Sequence, residues 1–106
     1  MKSPLPPTDS QGYLLHHQDW SLEIAEAIAA NEGVSLTPAH YQLITFVREY
    51  YETHHSAPAI RTLVKALKER FGPEIGHSLY LQSLFPKGPA KQLSKIAGLP
   101  KPVHCI

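Results

Sequence analysis

Hydrophobic positions recur at helical spacing in the first half of the chain and predict two well-delimited helices. The first can be capped by Asp19 or Ser21 and ends near Gly33, which can adopt the left-handed conformation of a helix C-terminus. The second has the clearest start, with Thr37 as the cap and Pro38 at the first helical position. Because its apolar residues spread over a wide face, we expect it to be the central helix of the core.

The same pattern continues along the second half and predicts two or three further short helices. One opens at Pro58 and carries an apolar side opposite a charged side. A shorter helix covers residues 78–85, where the following proline stops it. A last helix begins at Pro89 or Ala90 and is closed by Gly98. The second and third helices, joined by a short link, form a helix-turn-helix-like unit.

These elements predict one all-α domain, a small bundle of four to five short helices with irregular ends. Residues 1–18 form an irregular, proline-rich lead, in which residues 12–15 could be a short strand with little to pair it. Residues 19–97 form the helical domain. Residues 98–106 form an extended, mobile C-terminal arm, because Pro100 and Pro102 favour a semi-rigid polyproline-like geometry.

The amino-acid composition limits the class of protein and the cellular compartment that we expect. The chain has 106 residues, of which 42% are hydrophobic and 18% charged, as expected for one small globular domain. It contains no apolar run long enough to span a bilayer, and its first residues are too short and too proline-rich for a signal peptide. A single cysteine argues against a disulfide-stabilised domain. We therefore predict a cytoplasmic protein without a membrane partner.

The net charge is only +1, but the charges are unevenly distributed. Residues 1–74 hold six Lys or Arg against nine Asp or Glu, whereas residues 75–106 hold four Lys and no acid. Lys87, Lys91 and Lys95 follow one another at i, i+4 spacing, so on a helix they make one positive stripe that leads to the arm. This stripe is either a solvated face or a field that attracts acidic partners and lowers the pKa of a nearby thiol.

The only cysteine, Cys105, stands one residue from the end of the chain. From Gly98 to Cys105 an extended arm would reach roughly 20 to 25 Å, so the thiol could enter the active site of another protein. The alternative is an incidental cysteine, since chain ends tolerate change. The neighbouring His104 could lower the thiol pKa when protonated, although adjacent residues on an extended arm point apart.

Other functional classes find less support in the sequence. The adjacent histidine pairs at 16–17 and 54–55 lack the ligand spacing of zinc sites, so no metal site is predicted. No phosphate-binding glycine loop, nucleophile elbow or paired-carboxylate pattern occurs. A regulatory nucleic-acid-binding protein with Cys105 as a redox sensor remains the alternative, although near-neutral charge argues against direct nucleic-acid binding. The third helix would then present Arg61, Lys65, Lys68 and Arg70.

Four stretches of the chain resemble the DsrC/TusE family of sulfur carriers. The ending is the most specific part, and the match runs in register from about Gly12 to Ile106. The stretches are Gly33-Val34-Ser35-Leu36-Thr37-Pro38, Pro58-Ala59-Ile60-Arg61-Thr62-Leu63-Val64-Lys65, Leu84-Phe85-Pro86-Lys87-Gly88-Pro89-Ala90-Lys91-Gln92, and Lys95-Ile96-Ala97-Gly98-Leu99-Pro100-Lys101-Pro102 with Cys105-Ile106.

This resemblance implies a carrier that accepts sulfane sulfur as a persulfide on Cys105, needs no cofactor and has no independent turnover. Family members that work with dissimilatory sulfite reductase carry a second cysteine where this chain has Ser94. The chain is therefore similar to the TusE branch, which takes sulfur from a TusBCD/DsrEFH-type donor and passes it toward the tRNA-thiolating enzyme that makes wobble 2-thiouridine. A DsrC-like carrier linked to sulfur oxidation is the alternative within the family.

Two departures from the family pattern bear on partners. The N-terminal segment that forms a β-hairpin in the family is shortened here, so the resemblance implies at most a short hairpin remnant. Gln82 and Ser83 stand where an aromatic and a basic residue are expected. For each candidate the alternative to a functional role is a solvated surface position. The candidates for steering the arm or docking partners are Arg61, Lys87, Lys91, Lys95, Lys101 and His104.

Overall fold

Five α-helices make up most of the part of the chain that the computed structural model describes, residues 6–102. A single 3-10 turn over His17–Asp19 precedes them. In chain order the helices are α1 (Leu22–Asn31), α2 (Pro38–His54), α3 (Ile60–Phe71), α4 (Ser78–Leu84) and α5 (Pro89–Ile96). Within residues 6–102 no β-strand forms, so the all-α prediction is confirmed.

The predicted helix starts agree with the capping chemistry of α1 and α2. Of the two candidate caps for α1, Ser21 performs the role, since its hydroxyl accepts a hydrogen bond from the Ile24 N–H at 3.3 Å. Helix α2 begins at Pro38, as predicted. The Thr37 N–H donates to Nδ1 of His40 at 3.1 Å, and this bond ties the cap residue to the third residue of the helix.

Helix α3 begins two residues later than the sequence pattern predicted. Its first residue is Ile60 and not Pro58, because Ala57 and Pro58 are buried and hold the connection in an irregular conformation. Ala59 is the N-cap residue and supplies no side-chain hydrogen bond to the helix. The start of α3 is thus held by packing rather than by a cap.

Helix α5, and not α2, is the helix that packs against all the others. It contacts α1, α2, α3 and α4, and six of its eight residues are buried. The prediction that α2 is central was wrong in this respect, because α2 is a long amphipathic helix that buries one face only. The segment just before the C-terminal arm is therefore among the best-packed parts of the fold.

The described part of the N-terminal lead, residues 6–18, is largely irregular but packs against the domain. Tyr13 and Leu14 are buried, at 3% and 4% exposure, and a single antiparallel bridge joins Thr8 to Leu14. The Asp9 carboxylate accepts the N–H groups of Gln11 and Tyr13, which closes the turn between them. In the described residues the predicted hairpin remnant amounts to this one bridge.

One continuous cluster of buried side chains links the helices. None of the helices in residues 6–102 combines the length and the apolar character needed to cross a bilayer. The largest fully buried apolar side chains are Phe85, Leu43, Ile44, Leu63, Leu67, Leu81, Leu93, Ile96, Leu99 and Val47.

Candidate functional site at the end of the last helix

The chain leaves α5 through a tightly packed turn. Gly98 adopts a left-handed conformation with φ 75°, and a Cβ atom added there would stand 2.5 Å from Cδ1 of Trp20. The next residue, Leu99, is only 1% exposed, and its N–H donates to the Ser94 carbonyl at 2.9 Å. The first two residues of the predicted C-terminal arm are therefore packed against the domain.

Two side chains from elsewhere in the fold hold this turn. The indole Nε1 of Trp20 donates to the Ile96 carbonyl at 2.8 Å, and Nη1 of Arg48 donates to the Ala97 carbonyl at 2.7 Å. The Arg48 guanidinium also lies over the Trp20 ring, 4.1 Å from its centre. A cation suits this position because the last carbonyls of a helix carry partial negative charge.

Arg48 is partly buried in this arrangement, and burial lowers the pKa of its guanidinium, with nearby Glu52 acting in the opposite direction. The sequence reasoning missed both Arg48 and Trp20. A signal was present in Trp20, the only tryptophan of the chain, since a buried indole N–H requires an acceptor. No local pattern pointed to Arg48, because it lies 49 residues before Ala97 in the sequence and only the fold brings the two together.

The predicted persulfide carrier Cys105 and its neighbour His104 lie outside the described residues, so their roles stay predictions. The described chain ends at Pro102, which is buried, directly after the exposed Lys101. The division into a helical domain and a mobile arm over 98–106 also stays a prediction. The structure adds that residues 98 and 99 of that segment are packed.

Four of the predicted docking residues come together in one groove of about 310 Å³, which we call the basic groove. Lys91 and Lys95 on α5 form one side of it together with Lys87, which lies in the turn before the helix, so only two of the three lysines of the predicted stripe are helical. Lys101 joins from the segment after the helix. Arg61 does not belong to it, since it lies exposed on α3. The basic groove is lined by Gln11, Tyr13, Glu32, Lys87, Lys91, Gln92, Lys95 and Lys101.

Within this groove the side chain of Lys95 is engaged in contacts inside the domain. Its Nζ lies 3.2 Å from Oε2 of Glu32 and 5.2 Å from the centre of the Tyr13 ring, and its side chain is 18% exposed. Glu32 also accepts a hydrogen bond from Gln92 at 3.1 Å. Burial raises the pKa of Glu32, but the hydrogen bonds from Gln92 and Lys95 outweigh it and leave the pKa below its ordinary value.

The other three lysines of the groove are exposed. Within residues 6–102 no salt bridge forms at Lys87, Lys91 or Lys101. The stripe predicted from the sequence therefore divides into a structural lysine and a set of cations that face solvent.

A second groove of about 280 Å³, the apolar groove, lies on the other side of Lys87 and Lys91. It is formed by the link before α3 and the start of α5, and Pro102 contributes to its wall. Lys87 and Lys91 thus form a ridge shared by both grooves. The apolar groove is lined by Ala59, Ile60, Lys87, Gly88, Pro89, Ala90, Lys91 and Pro102.

The face of α2 and α3 offers no comparable basic surface. Arg70 pairs with Glu49 at 3.9 Å, and the groove between the two helices, about 460 Å³, is lined by Glu69 as well as Lys65. This mixture of charges gives no basic patch of the kind that binds nucleic-acid phosphates. In the described part of the chain, no group of three His, Cys, Asp or Glu side chains is arranged to hold a metal ion.

Comparison with known families matches residues 4–106 to the family described as DsrC like protein. The chain belongs to this DsrC-like family. Its relatives include the sulfurtransferase TusE of Salmonella choleraesuis (strain SC-B67), 59% identical over 99 residues, which are 93% of this chain and 91% of the relative. The sulfurtransferase TusE of Escherichia coli (strain K12) is 57% identical over the same shares of both chains.

Solved structures of DsrC proteins share the fold. The NMR structure of Allochromatium vinosum DsrC is 48% identical, covers 92% of this chain and 88% of its own, and superimposes with a TM-score of 0.84. The oxidized gamma-subunit of the dissimilatory sulfite reductase (DsrC) from Archaeoglobus fulgidus is 37% identical, with shares of 95% and 92% and a TM-score of 0.82. The resemblance seen in the sequence is confirmed along nearly the whole chain.

Proposed function

We propose that this DsrC-like protein is a sulfur-relay carrier that accepts sulfane sulfur as a persulfide on Cys105 and hands it to an acceptor enzyme. The observation that carries the proposal is the extent of the family match, which includes the C-terminal segment with the only cysteine of the chain. The sulfurtransferase relatives, at 57% and 59% identity, support the same activity.

The transfer is a thiol–persulfide exchange and needs no net redox change. The Cys105 thiolate attacks the outer sulfur of a donor persulfide, a new sulfur–sulfur bond forms, and the donor leaves as a thiolate. The acceptor thiolate repeats the same step on the carrier. Neither a metal nor a cofactor takes part, and the carrier has no turnover of its own.

The packed turn after α5 limits the mobile part of the arm proposed for residues 98–106. Because Leu99 and Pro102 are buried, the part of the arm that can leave the surface is short. Three residue steps separate Pro102 from Cys105, which corresponds to about 10 Å for an extended chain. The thiol would thus operate close to the two grooves and their shared ridge.

Ser94 favours the branch of the family that works with one cysteine. A serine hydroxyl cannot form a disulfide with Cys105, and Ser94 is 1% exposed inside α5. We therefore propose tRNA wobble-uridine 2-thiolation as the destination of the sulfur. On this proposal the protein works in the cytoplasm, the donor is of the TusBCD/DsrEFH type, and the acceptor is a tRNA-thiolating enzyme.

Intact-mass spectrometry tests the carrier step directly. Wild type and Cys105→Ser are incubated with inorganic polysulfide or a persulfidated donor protein and then with reductant. We expect wild type alone to gain about 32 Da, and reductant to remove it, because the added sulfur is held by a sulfur–sulfur bond. Failure of wild type to gain sulfur from any donor would contradict the proposal.

The destination of the sulfur needs a separate measurement. In a bacterial strain that lacks its own TusE, we expect wild type to restore 2-thiouridine in hydrolysed tRNA and Cys105→Ser to leave it absent. Ser94→Ala serves as the matched control and should restore thiolation, since the proposed exchange uses one cysteine only. Restored thiolation by Cys105→Ser would exclude the persulfide route.

A further inference from the structure

The ridge of Lys87 and Lys91 and the two grooves beside it indicate which kind of protein surface docks on this carrier. We propose that this ridge docks the sulfur donor through an acidic surface that surrounds an exposed apolar side chain. This proposal rests on the function proposed above and specifies the partner chemistry of its site. The ridge and the two grooves are called the tail-exit surface from here on.

Charge is the first observation that supports the proposal. Lys87, Lys91 and Lys101 face solvent. Glu32, the only acidic residue lining the basic groove, is paired with Lys95, and its charge also acts on Lys87. Residues 75–106 contain no Asp or Glu, so no side-chain carboxylate of that segment offsets these cations. A partner with carboxylates at this position gains long-range attraction and faster encounter.

The apolar groove is the second observation. Ala59, Ile60, Pro89 and Ala90 give it an apolar lining, and at about 280 Å³ it can admit one large side chain. Because the lysine ridge borders this groove, a partner that inserts an apolar residue brings its flanking residues against the ridge. Apolar anchors within a charged rim are the usual arrangement of protein interfaces.

Position is the third observation. Pro102 lines the apolar groove and Lys101 lines the basic groove, so the described chain ends between the two. Cys105 lies three residues beyond Pro102, within about 10 Å for an extended chain. A partner docked on the tail-exit surface therefore lies within reach of the Cys105 thiol.

The donor fits this surface better than the acceptor or the tRNA does. An enzyme that binds tRNA presents basic surface to its substrate, and basic surface would be repelled by the ridge. The tRNA itself would be held by only three free lysines, whereas the first 74 residues carry more acids than bases. An acidic protein surface is the complement that remains.

The test compares two sources of sulfur. We measure persulfidation of Cys105 by intact mass, with inorganic polysulfide as the small donor and a persulfidated DsrE-type protein as the large donor. The variant is Lys87→Glu/Lys91→Glu, and the control Lys65→Glu/Lys68→Glu has the same charge change on α3. Lys87→Arg/Lys91→Arg retains the charge and should retain the wild-type rate.

We expect the ridge variant to slow transfer from the protein donor about tenfold or more and to weaken its dependence on salt, because steering depends on these charges. Loading by polysulfide should be unchanged, as should both rates of the control. Equal losses in ridge variant and control, or no loss in either, would overturn the proposal. Failure of polysulfide to load wild type would instead count against the carrier function.

Ala59→Asp separates docking from folding. Ala59 precedes α3 without a side-chain cap, so an aspartate there should cap the helix and keep or raise the melting temperature. The same carboxylate enters the apolar groove and should slow the protein donor while leaving polysulfide loading unchanged. If both donors slow equally, the groove receives residues 103–106 of the chain itself, and the proposal fails. If neither slows, the groove takes no part in docking and the proposal also fails.

Discussion

The two ends of α5 differ in nearly every physical respect. At the C-terminal end the last carbonyls are bonded by Trp20 and Arg48, and Gly98 packs against the indole. At the N-terminal end Lys87 is exposed and Gly88 has open space around it. A carrier that offers its thiol to other proteins needs both properties. One end fixes where the arm starts, and the other leaves room for a partner.

The largest effect is expected from Gly98→Ala, which disturbs the packed turn at the C-terminal end of α5. An alanine there must adopt φ 75° and place its Cβ 2.5 Å from Trp20, so we expect a loss of about 3 kcal/mol in the free energy of unfolding. Urea denaturation of wild type and variant measures this loss of unfolding free energy. Gly33→Ala is the matched control, because Gly33 has almost the same φ, 76°, but nothing within 4 Å of the added Cβ. Equal losses for both variants would mean that the indole contact contributes nothing.

A smaller effect is expected from Arg48→Met, which keeps much of the side-chain volume but removes the charge. The variant loses a 2.7 Å hydrogen bond to the Ala97 carbonyl and the stacking on Trp20, which together are worth about 2 kcal/mol. Denaturant unfolding of Arg48→Met and of the exposed Arg61→Met gives the comparison. We expect Arg61→Met to change stability by less than about 0.5 kcal/mol. Similar values for the two would refute the anchoring role of Arg48.

The sequence predicted the exposed end of α5 better than the anchored end. The lysine stripe follows from i, i+4 spacing, and helix starts such as Pro38 follow from local capping rules. The anchor joins Trp20, Arg48 and Gly98, which are far apart in the sequence and carry no shared local pattern. Long-range contacts of this kind are set by packing.

The later start of α3 and the central place of α5 escaped prediction for the same reason. Pro58 is a good first helical residue, yet its burial together with Ala57 keeps it in the link. Helix α5 has only eight residues, so its sequence cannot reveal that four neighbours surround it. The separate role of Lys95 within the stripe likewise depends on Glu32, which the fold brings from the end of α1.

The smallest effect is expected from Glu32→Gln, at the boundary between the packed fold and the open groove. The pair of Glu32 with Lys95 is 3.2 Å long and about four-fifths buried, so at neutral pH we expect a loss of about 1 kcal/mol. Since the folded-state pKa of Glu32 is below the ordinary value of 4.5, the ion pair stabilises the fold above that pH. Its contribution is lost as the pH falls through the folded-state pKa, where wild type and variant should become equally stable.

Urea denaturation from pH 7 to pH 3 measures this convergence, with Glu49→Gln as the control. The pair of Glu49 with Arg70 is 3.9 Å long and both side chains are about 60% exposed, so its removal should change stability little at any pH. A difference between wild type and Glu32→Gln that stays constant down to pH 3 would mean that the charge of Glu32 is not what holds Lys95. In that case Lys95 would belong with the exposed lysines of the tail-exit surface, and the division between the two sets of lysines would disappear.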